Sequence, residues 1–374
     1  MRINFLGDFV AKEGSKPQAS EELSRFLTHS NFNVVNVEAP VFSSSFRQEH
    51  KPYEKSGPSL WQPPTCIEFL KKNNIQIASL ANNHIMDYGS EGLDLTRSYL
   101  DGFEYGGAGT WHEAYRPITL QSDNMTVGII CLTHQEFGTL TDRWDNRFTT
   151  GTAWVSHPDV DLIIDKTRKE VDYLFIYVHA GVEYSDQPLP EWRDRYRSFV
   201  RLGADAVIAS HPHVPQGWEM YQGVPIIYSL GNFYFPERAR HSRLWYISLC
   251  ASFTISSNGL DLSVNPLSFA DKEICFDKTQ ETSTHLLHLN DVLADDEAYI
   301  SYINELSIDK MPIFESLFAK SGYITWEKPK RVIRSLLDRC RGKQGSTVFI
   351  RNNVCCESHR WLLARAMKLN GKYQ

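Results

Sequence analysis

The stretch AVIASHPHV, residues 206–214, joins a short apolar run to a polar segment that contains two histidines. The run Ala206–Ala209 is typical of a buried strand in a parallel sheet. His211 and His213 follow the run, and Pro212 between them fixes the backbone φ angle and stiffens the pair. The pattern predicts a strand whose carboxyl end presents two imidazoles, which are common metal ligands.

Four other segments repeat this arrangement, in which a β-rich run ends in polar residues. They are Arg2–Leu6 before Asp8, Phe32–Val37 before Glu38, Ile75–Leu80 before Asn83 and His84, and Tyr173–Val178 before His179. Ligands bind at the carboxyl ends of strands in open α/β sheets, so we expect these side chains to share one crevice. Taken singly, Asp8 and Glu38 are as typical of turns or caps as of a ligand site. His179 alone is also compatible with a hydrogen-bonded core residue.

The residue types in this set indicate metal chemistry. An Asn amide oxygen is a hard metal ligand, and the neighbouring His84 can be a further ligand or a general acid. Mixed His, Asn and carboxylate donors favour Mn²⁺, Fe or Zn²⁺ over Ca²⁺. Two such metals sharing a carboxylate about 3.5–4 Å apart would form a clamp for a phosphoryl group.

The remaining pattern is that of an α/β protein followed by a helical segment. Helix-like stretches lie between the β-runs, and residues 245–267 predict a hairpin around Asn258-Gly259. From about Cys275 strand signals fade. The helical stretches beyond it are His285–Leu306, Pro312–Lys320, Pro329–Arg341 and Ser358–Leu369. We therefore expect a first domain over residues 1–275 and a mainly helical extension over 276–374.

Two long connections, Ala39–Pro63 and His134–Pro158, each follow a strand end that carries polar residues. Connections of this length are usually functional or disordered. We expect both to cover the site.

Composition excludes several classes of protein. The 374 residues are 42% hydrophobic and 22% charged with a net charge of −6, which argues against disorder and against a protein that mainly wraps nucleic acid. No run reaches the roughly 18–20 apolar residues of a membrane helix, and the N-terminus MRINFLGDFV has no signal-peptide pattern. Seven scattered cysteines without a CxxC pair complete the prediction of a reduced, cytoplasmic protein.

Charge is unevenly distributed along the chain. Residues 310–374 carry 14 Lys and Arg against four Asp and Glu, a net charge of +10. This segment can simply present solvated helical faces. It can also contact an anionic membrane or a polyanion weakly, leaving the protein peripheral to the membrane.

Five motifs, in this order and spacing, resemble the bacterial capsule synthesis protein family of the CapA or poly-γ-glutamate type. That family lies within the calcineurin-like metallophosphoesterase superfamily. The resemblance runs from Gly7-Asp8 to about Phe235. The motifs are LANNHIMDYG (80–89), GAG (107–109) with Glu113-Ala114 and Arg116-Pro117, HAGVEY (179–184), GADAVIASHPHVPQ (203–216) and YSLGNF (228–233).

The resemblance implies a metallophosphoesterase-like β-sandwich flanked by helices, with four layers in the order α/β/β/α. It implies one or two divalent ions of Mn, Fe or Zn, with manganese a natural candidate. Asp8 and His213 would hold one ion, Asn83, His179 and His211 the other, and Glu38 would bridge them. His84 would protonate the leaving group, with Asp87 as a second candidate catalytic residue, and Gly231-Asn232 would line the site.

Three positions depart from the family pattern. The wider superfamily opens with Asp-x-His, whereas Asp8 is followed by Phe9 and Val10. Glu38 stands for the superfamily's bridging Asp, and Ala180 stands where the family often has Trp. Because Val10 stands in place of that histidine, the metal held by Asp8 would have one ligand fewer.

Three functions follow as hypotheses. The first is a metal-dependent, phosphoesterase-like hydrolase acting on a phosphorylated or polymeric metabolite in capsule or surface polymer biosynthesis, whether poly-γ-glutamate or polysaccharide. The second is metal-independent acid–base chemistry on a peptide-like substrate, such as amide ligation, amide cleavage or epimerisation. The third is a non-catalytic accessory protein of a polymer-synthesis complex. None of them includes specific nucleic-acid binding.

Overall fold

The structure, a computed structural model, describes residues 1–122, 125–141, 149–236, 242–256, 259–270, 273–320 and 345–369. The strands are β1 (Arg2–Phe9), β2 (Gln18–Ala19), β3 (Phe32–Val37), β4 (Ile77–Ser79), β5 (Glu104–Gly106), β6 (Ala108–Thr110), β7 (Ile118–Ser122), β8 (Met125–Thr133), β9 (Thr139–Leu140), β10 (Thr150–Ala153), β11 (Tyr173–His179), β12 (Ala206–Ser210), β13 (Trp218–Tyr221), β14 (Val224–Ile227), β15 (Asn232–Tyr234), β16 (Ile247–Ser256), β17 (Gly259–Ala270) and β18 (Glu273–Phe276).

Helices connect many of these strands and form the described C-terminal part. They are α1 (Glu21–Thr28), α2 (Ser44–Glu49), α3 (Thr65–Lys72), α4 (Gly89–Tyr99), α5 (Trp111–Ala114), α6 (Asp159–Arg168), α7 (Pro190–Arg201), a 3₁₀ turn (Arg243–Tyr246), α8 (Gln280–Ala294), α9 (Asp296–Lys320), the helix Gly345–Cys355 and the helix Glu357–Leu369. We call the last of these the C-terminal helix.

Two large sheets carry the fold. The first has the order β2-β18-β17-β16-β1-β3-β4-β5, with β15 also paired to β1. The second has the order β13-β14-β12-β11-β8-β7. The central pairs of each sheet, such as β1 with β3 and β11 with β12, are parallel, so their carboxyl ends lie at one edge. A small third sheet contains β6, β10 and β9.

The alternation of side chains along the strands divides the core into layers. On β1, Phe5 packs between the two sheets, whereas the adjacent Leu6 packs on the outer side. On β11, Phe175 and Tyr177 join Phe5 between the sheets, with ring centroids 5.3 and 5.6 Å from it. Successive side chains of a strand point to opposite faces, so each sheet is buried on both.

Helices cover the outer faces. The buried Leu23 and Leu27 of α1 and Leu93 of α4 pack outside the first sheet. On α7, Trp192 and Tyr196 belong to the cluster outside the second sheet. The predicted four-layer α/β/β/α sandwich with a helical C-terminal part is therefore confirmed.

The helices after residue 279 differ from the predicted pattern in one respect. The prediction placed a break between Leu306 and Pro312, but the chain breaks at Asp295 instead. The Asp295 carboxylate accepts hydrogen bonds from the backbone N–H groups of Glu297 and Ala298, which starts α9. Pro312 lies inside α9 rather than at its start.

This helical segment packs on the second sheet's outer layer. Tyr299 and Ile303 of α9 and Leu362 of the C-terminal helix join the same cluster as Trp192. The predicted helix Pro329–Arg341 and most of the basic residues of 310–374 lie outside the described residues. Among the helices that are described, none has both the length and the apolar character needed to cross a bilayer.

The predicted hairpin is present, with β16 and β17 antiparallel from Ile247–Ser268 to Ser256–Gly259. Its turn residues 257 and 258 lie outside the described residues.

A close backbone contact fixes the end of β1. An added Cβ at Gly7 would lie 1.8 Å from the carbonyl oxygen of Gly231, which accepts a hydrogen bond from the N–H of Asp8 at 3.0 Å. Only glycine permits this approach, and the contact places Asp8 directly beside β15.

Gly7→Ala should therefore destabilise the protein by about 3 kcal/mol or more, because the backbone must move to relieve the overlap. Gly14→Ala is a suitable control, since that position has a φ of +78° but no atom within 4 Å of an added Cβ, and should cost only about 1 kcal/mol. Urea unfolding measures both, and equal destabilisation would contradict the structural role of the contact.

Candidate metal centre

Six predicted residues meet where the carboxyl ends of both sheets face each other. Asp8 lies in β1 and Glu38 directly follows β3, both in the first sheet. Asn83 follows β4 of the same sheet, and all three side chains are buried. From the second sheet come His179, the last residue of β11, and the buried pair His211 and His213 after β12.

Glu38 occupies the middle of this group. Its side chain is fully buried, and its Oε1 lies 3.5 Å from Nε2 of His179 and 3.8 Å from Nε2 of His213. Neither carboxylate oxygen has a hydrogen-bond partner among the described residues. Burying a carboxylate costs free energy unless it is paired and hydrogen-bonded, so a cation held between these groups would satisfy both oxygens.

One set of donor atoms lies on the His179 side of Glu38. Ligand atoms of Glu38, His179 and His211 all lie within 4.8 Å of one another. Nε2 of His179 is 3.1 Å from Nδ1 of His211 and 3.1 Å from Oδ1 of Asn83. Three uncharged donors and one carboxylate can therefore surround one ion.

A second set lies on the opposite side and shares Glu38. Ligand atoms of Asp8, Glu38 and His213 also lie within 4.8 Å of one another. Val10, two residues after Asp8, is buried in the apolar cluster outside the first sheet. This set therefore gains no donor from that position.

Hydrogen bonds from asparagines orient the donors. Asn36 donates to Oδ1 of Asp8 at 2.7 Å. Asn232 donates its amide hydrogens to the carbonyls of His213 and Trp245, which turns its Oδ1 toward Nδ1 of His213 at 2.9 Å. With the proton of His213 on Nδ1, its Nε2 lone pair faces Glu38, as a ligand requires.

The first residue of the Asn-Asn-His motif has a structural role. Asn82 donates to the carbonyl of Val37 at 2.9 Å, and its Oδ1 accepts from the backbone N–H groups of His84 and Ile85. These bonds shape the turn after β4, so Asn83 rather than Asn82 reaches the site.

The backbone of the His-Pro-His segment is strained. His211 has a φ of 104° and His213 a φ of 61°, values that non-glycine residues rarely adopt. The N–H of His211 donates to Oδ2 of Asp8 at 3.1 Å, which helps to hold this conformation. Such strain of about 1–3 kcal/mol per residue is typical of functional sites.

The buried ionisable groups of the site strongly affect one another's pKa values. Burial lowers the pKa of His179, but the charges of Glu38 and Asp8 outweigh this and raise it to about 10. Burial also raises the pKa of Asp8, yet His179 and His213 reverse the effect and hold it below its usual value. Burial and the neighbouring histidines lower the pKa of His211, so its imidazole is neutral, the form that binds metals.

The donor set fits divalent metal. Two carboxylates, three imidazoles and an amide oxygen suit Mn²⁺, Fe or Zn²⁺, and the orphaned oxygens of Glu38 face both donor sets. Glu38 is the one residue that both donor sets share, so it would contribute to holding an ion in either set.

His84 stands beside this group with its own partners. Nδ1 of His84 lies 2.8 Å from Oδ2 of Asp87, and the Lys55 ammonium forms an ion pair with Oδ1 of the same carboxylate. Lys55 also donates to the carbonyl of Asn83 at 2.9 Å. Its Nζ also lies 2.9 Å from Nδ1 of His84, so these contacts engage Nδ1 of the ring and not Nε2.

Sequence reasoning missed Lys55 and the orienting role of Asn36. Lys55 comes from the connection Ala39–Pro63, which was expected to cover the site, but a single lysine in a long connection carries no recognisable pattern. Asn36 lies inside β3, where the sequence does not mark it as a site residue. Only the register of β3 against β1 places it opposite Asp8.

The family model described as bacterial capsule synthesis protein PGA_cap matches residues 2–237. The match covers more than half of the chain, so the chain belongs to this family, as the motifs predicted. A curated relative is the "PGA biosynthesis protein CapA" of Bacillus subtilis, 29% identical over 227 residues, which are 58% of this chain and 57% of the relative.

A second relative is a "Probable polyglutamine synthesis accessory protein" of Mycobacterium tuberculosis, 26% identical over 214 residues, 53% of this chain and 54% of the relative. The chain thus spans little more than half the length of these curated relatives. Among solved structures, a 5'-nucleotidase from Candida albicans matches 80% of this chain and 56% of its own with 9% identity and a TM-score of 0.40. That score is too low to bear on function.

If Glu38 bridges bound metal, Mn²⁺ should raise the melting temperature of the wild-type protein, because a ligand at 100 times its Kd stabilises by about 2.7 kcal/mol. Glu38→Gln, which keeps the shape but removes the charge, should lose most of this rise. Glu68→Gln on the exposed face of α3 is the control and should keep it. Thermal unfolding with and without Mn²⁺ measures the difference, and an undiminished rise in Glu38→Gln would contradict the assignment.

Proposed function

We propose that this member of the bacterial capsule synthesis protein family is a metal-dependent hydrolase of the phosphoesterase type. Its substrate would be a phosphorylated or polymeric metabolite of surface polymer biosynthesis. The observation that carries the proposal is Glu38, whose two buried oxygens lack partners in the described part of the chain and lie between two donor sets.

The proposed ligand assignments are those that the family resemblance implied. Asp8 and His213 would hold one ion, Asn83, His179 and His211 the other, and Glu38 both. When bound, such metals supply Lewis-acid polarisation of a phosphoryl group. The chain's own residues fix the donors in place through Asn36 and Asn232.

His84 would act as the general acid. Its side chain is about 9% exposed, so the ring lies at the wall of the site rather than on the open surface. Asp87 would hold the ring through Nδ1, which leaves Nε2 to donate a proton to a leaving-group oxygen. Lys55 fixes Asp87 from the other side and ties it to the backbone of Asn83.

One further role is favoured by a specific observation. The Mycobacterium tuberculosis relative is called an accessory protein, so a non-catalytic role in a polymer-synthesis complex is the second candidate. Weak contact of residues 310–374 with anionic lipid or polymer would suit either role, and it stays a prediction from the sequence.

Hydrolysis of p-nitrophenyl phosphate and of bis-p-nitrophenyl phosphate tests the proposal directly. The Mn²⁺-loaded protein should hydrolyse at least one of them. His84→Ala should lower kcat by about 10²- to 10⁴-fold, as loss of a general acid does, while metal content stays unchanged. The control is His112→Ala, because His112 is exposed on α5 and belongs to none of the groups of candidate ligands.

Metal content separates the outcomes. Loss of metal in His84→Ala would refute its assignment as an acid rather than a ligand. Bound metal without hydrolysis of either ester would favour the accessory role. Hydrolysis by a metal-free protein would favour the acid–base chemistry without metal considered from the sequence.

A further inference from the structure

A second group of ligand atoms lies beside the candidate metal centre and includes none of its six residues. Atoms of His134, Glu136 and Cys356 that can bind a metal all lie within 4.8 Å of one another. His134 and Glu136 follow β8, whereas Cys356 directly precedes the C-terminal helix. The group therefore joins parts of the chain more than 200 residues apart.

His134 presents a free nitrogen to this group. Its side chain is fully buried, and within the described residues Nε2 has no hydrogen-bond partner. Nδ1 lies 3.4 Å from Oγ of Ser358, an oxygen that also accepts from the Trp192 indole at 2.9 Å. With its proton on Nδ1, the ring directs the Nε2 lone pair at the cluster, which is how ligating histidines are usually held.

Glu136 supplies a carboxylate. Its Oε2 lies 3.8 Å from Nε2 of His134, too far for a hydrogen bond, and its side chain is 12% exposed. Tetrahedral zinc with bonds of about 2.0–2.3 Å places its ligand atoms roughly 3.3–3.8 Å apart. The observed separation therefore suits two atoms that share an ion better than two that bond directly.

Cys356 supplies a thiol from the residue that precedes the C-terminal helix. It is 1% exposed and forms no disulfide, and its backbone is held by hydrogen bonds to Asn352 and from Arg360. His359 lies in the first turn of that helix, three residues after Cys356, and its Nδ1 is a buried atom with no partner in the structure's described ranges. His359 is close enough to act electrostatically on both His134 and Glu136, although it is not one of the three grouped residues.

We propose that His134, Glu136 and Cys356, with His359 nearby, form a site for a single zinc ion, distinct from the two donor sets that share Glu38. Sulfur, nitrogen and carboxylate donors favour Zn²⁺ over Mn²⁺. The ion would tie the C-terminal helix to the end of β8. It would lie close to the proposed catalytic metals, because the His134 and His211 ring centroids are 4.4 Å apart.

Cobalt substitution tests this site without relying on activity. The full-length protein is stripped with a chelator, reloaded with Co²⁺, and monitored for the near-ultraviolet charge-transfer absorption that only cobalt bound to thiolate gives. The wild type should develop this absorption, saturating at one ion per chain. Cys356→Ser, which is nearly isosteric, should lose it, and zinc content should fall by about one ion per chain.

The adjacent cysteine provides a matched control. Cys355→Ser should keep the absorption, because Cys355 is half-buried and is not part of the cluster. Glu136→Gln, which preserves shape, should weaken cobalt binding with the fold intact by circular dichroism. No thiolate absorption in the wild type, or absorption that survives in Cys356→Ser, would overturn the proposal.

A further variant separates this inference from the proposed hydrolase. Glu38→Gln should lose metal from the centre that Glu38 bridges but keep the full cobalt–thiolate absorption. If the protein hydrolyses no phosphate ester yet shows the absorption, the hydrolase proposal fails and the zinc site stands. Loss of the absorption in Glu38→Gln would mean that the two groups are one site and would overturn the inference.

Discussion

The site depends on one electrostatic constraint, which is the burial of the Glu38 carboxylate between two sheets with no hydrogen bond to either oxygen from the described residues. A buried charge of this kind is stable only beside opposite charge. Without metal, the protonated form of His179 supplies part of that charge, which is why its pKa is raised so far. Metal ions would replace the proton and satisfy both oxygens. The arrangement that binds metal is therefore also the one that compensates the buried charge of Glu38.

The fold supplies this arrangement through parallel strands. The strands β1, β3 and β4 end at the same edge of the first sheet, and β11 and β12 end opposite them in the second. Five separate strand ends therefore each need to contribute only one or two residues. The close approach of Gly7 to Gly231 and the positive φ of His211 are local costs that keep these ends in register.

Much of the candidate site was predictable from the sequence. Each candidate ligand follows an apolar run, and the carboxyl ends of parallel strands generally meet at one edge of a sheet. Asp8, Glu38, Asn83, His179, His211 and His213 are brought together as expected, although their roles as ligands stay predictions. Lys55 and the group of His134, Glu136 and Cys356 were not predictable, since a lysine in a long connection and a cysteine more than 200 residues from its neighbours follow no period or spacing. The break at Asp295 was missed because the sequence analysis took Pro312 as the start of a new helix. In the structure the Asp295 carboxylate caps the start of α9, and α9 continues through Pro312 despite its missing N–H.

Crystals of the protein grown with Mn²⁺ and recorded at the manganese absorption edge give the most direct test of a metal centre bridged by Glu38. We predict an anomalous peak about 2.2 Å from a Glu38 carboxylate oxygen, with further ligands from His179, His211 and Asn83 or from Asp8 and His213. Two peaks about 3.5–4 Å apart on either side of Glu38 would show that both donor sets are filled. Manganese bound elsewhere, with no peak beside Glu38 at saturating Mn²⁺, would contradict the account.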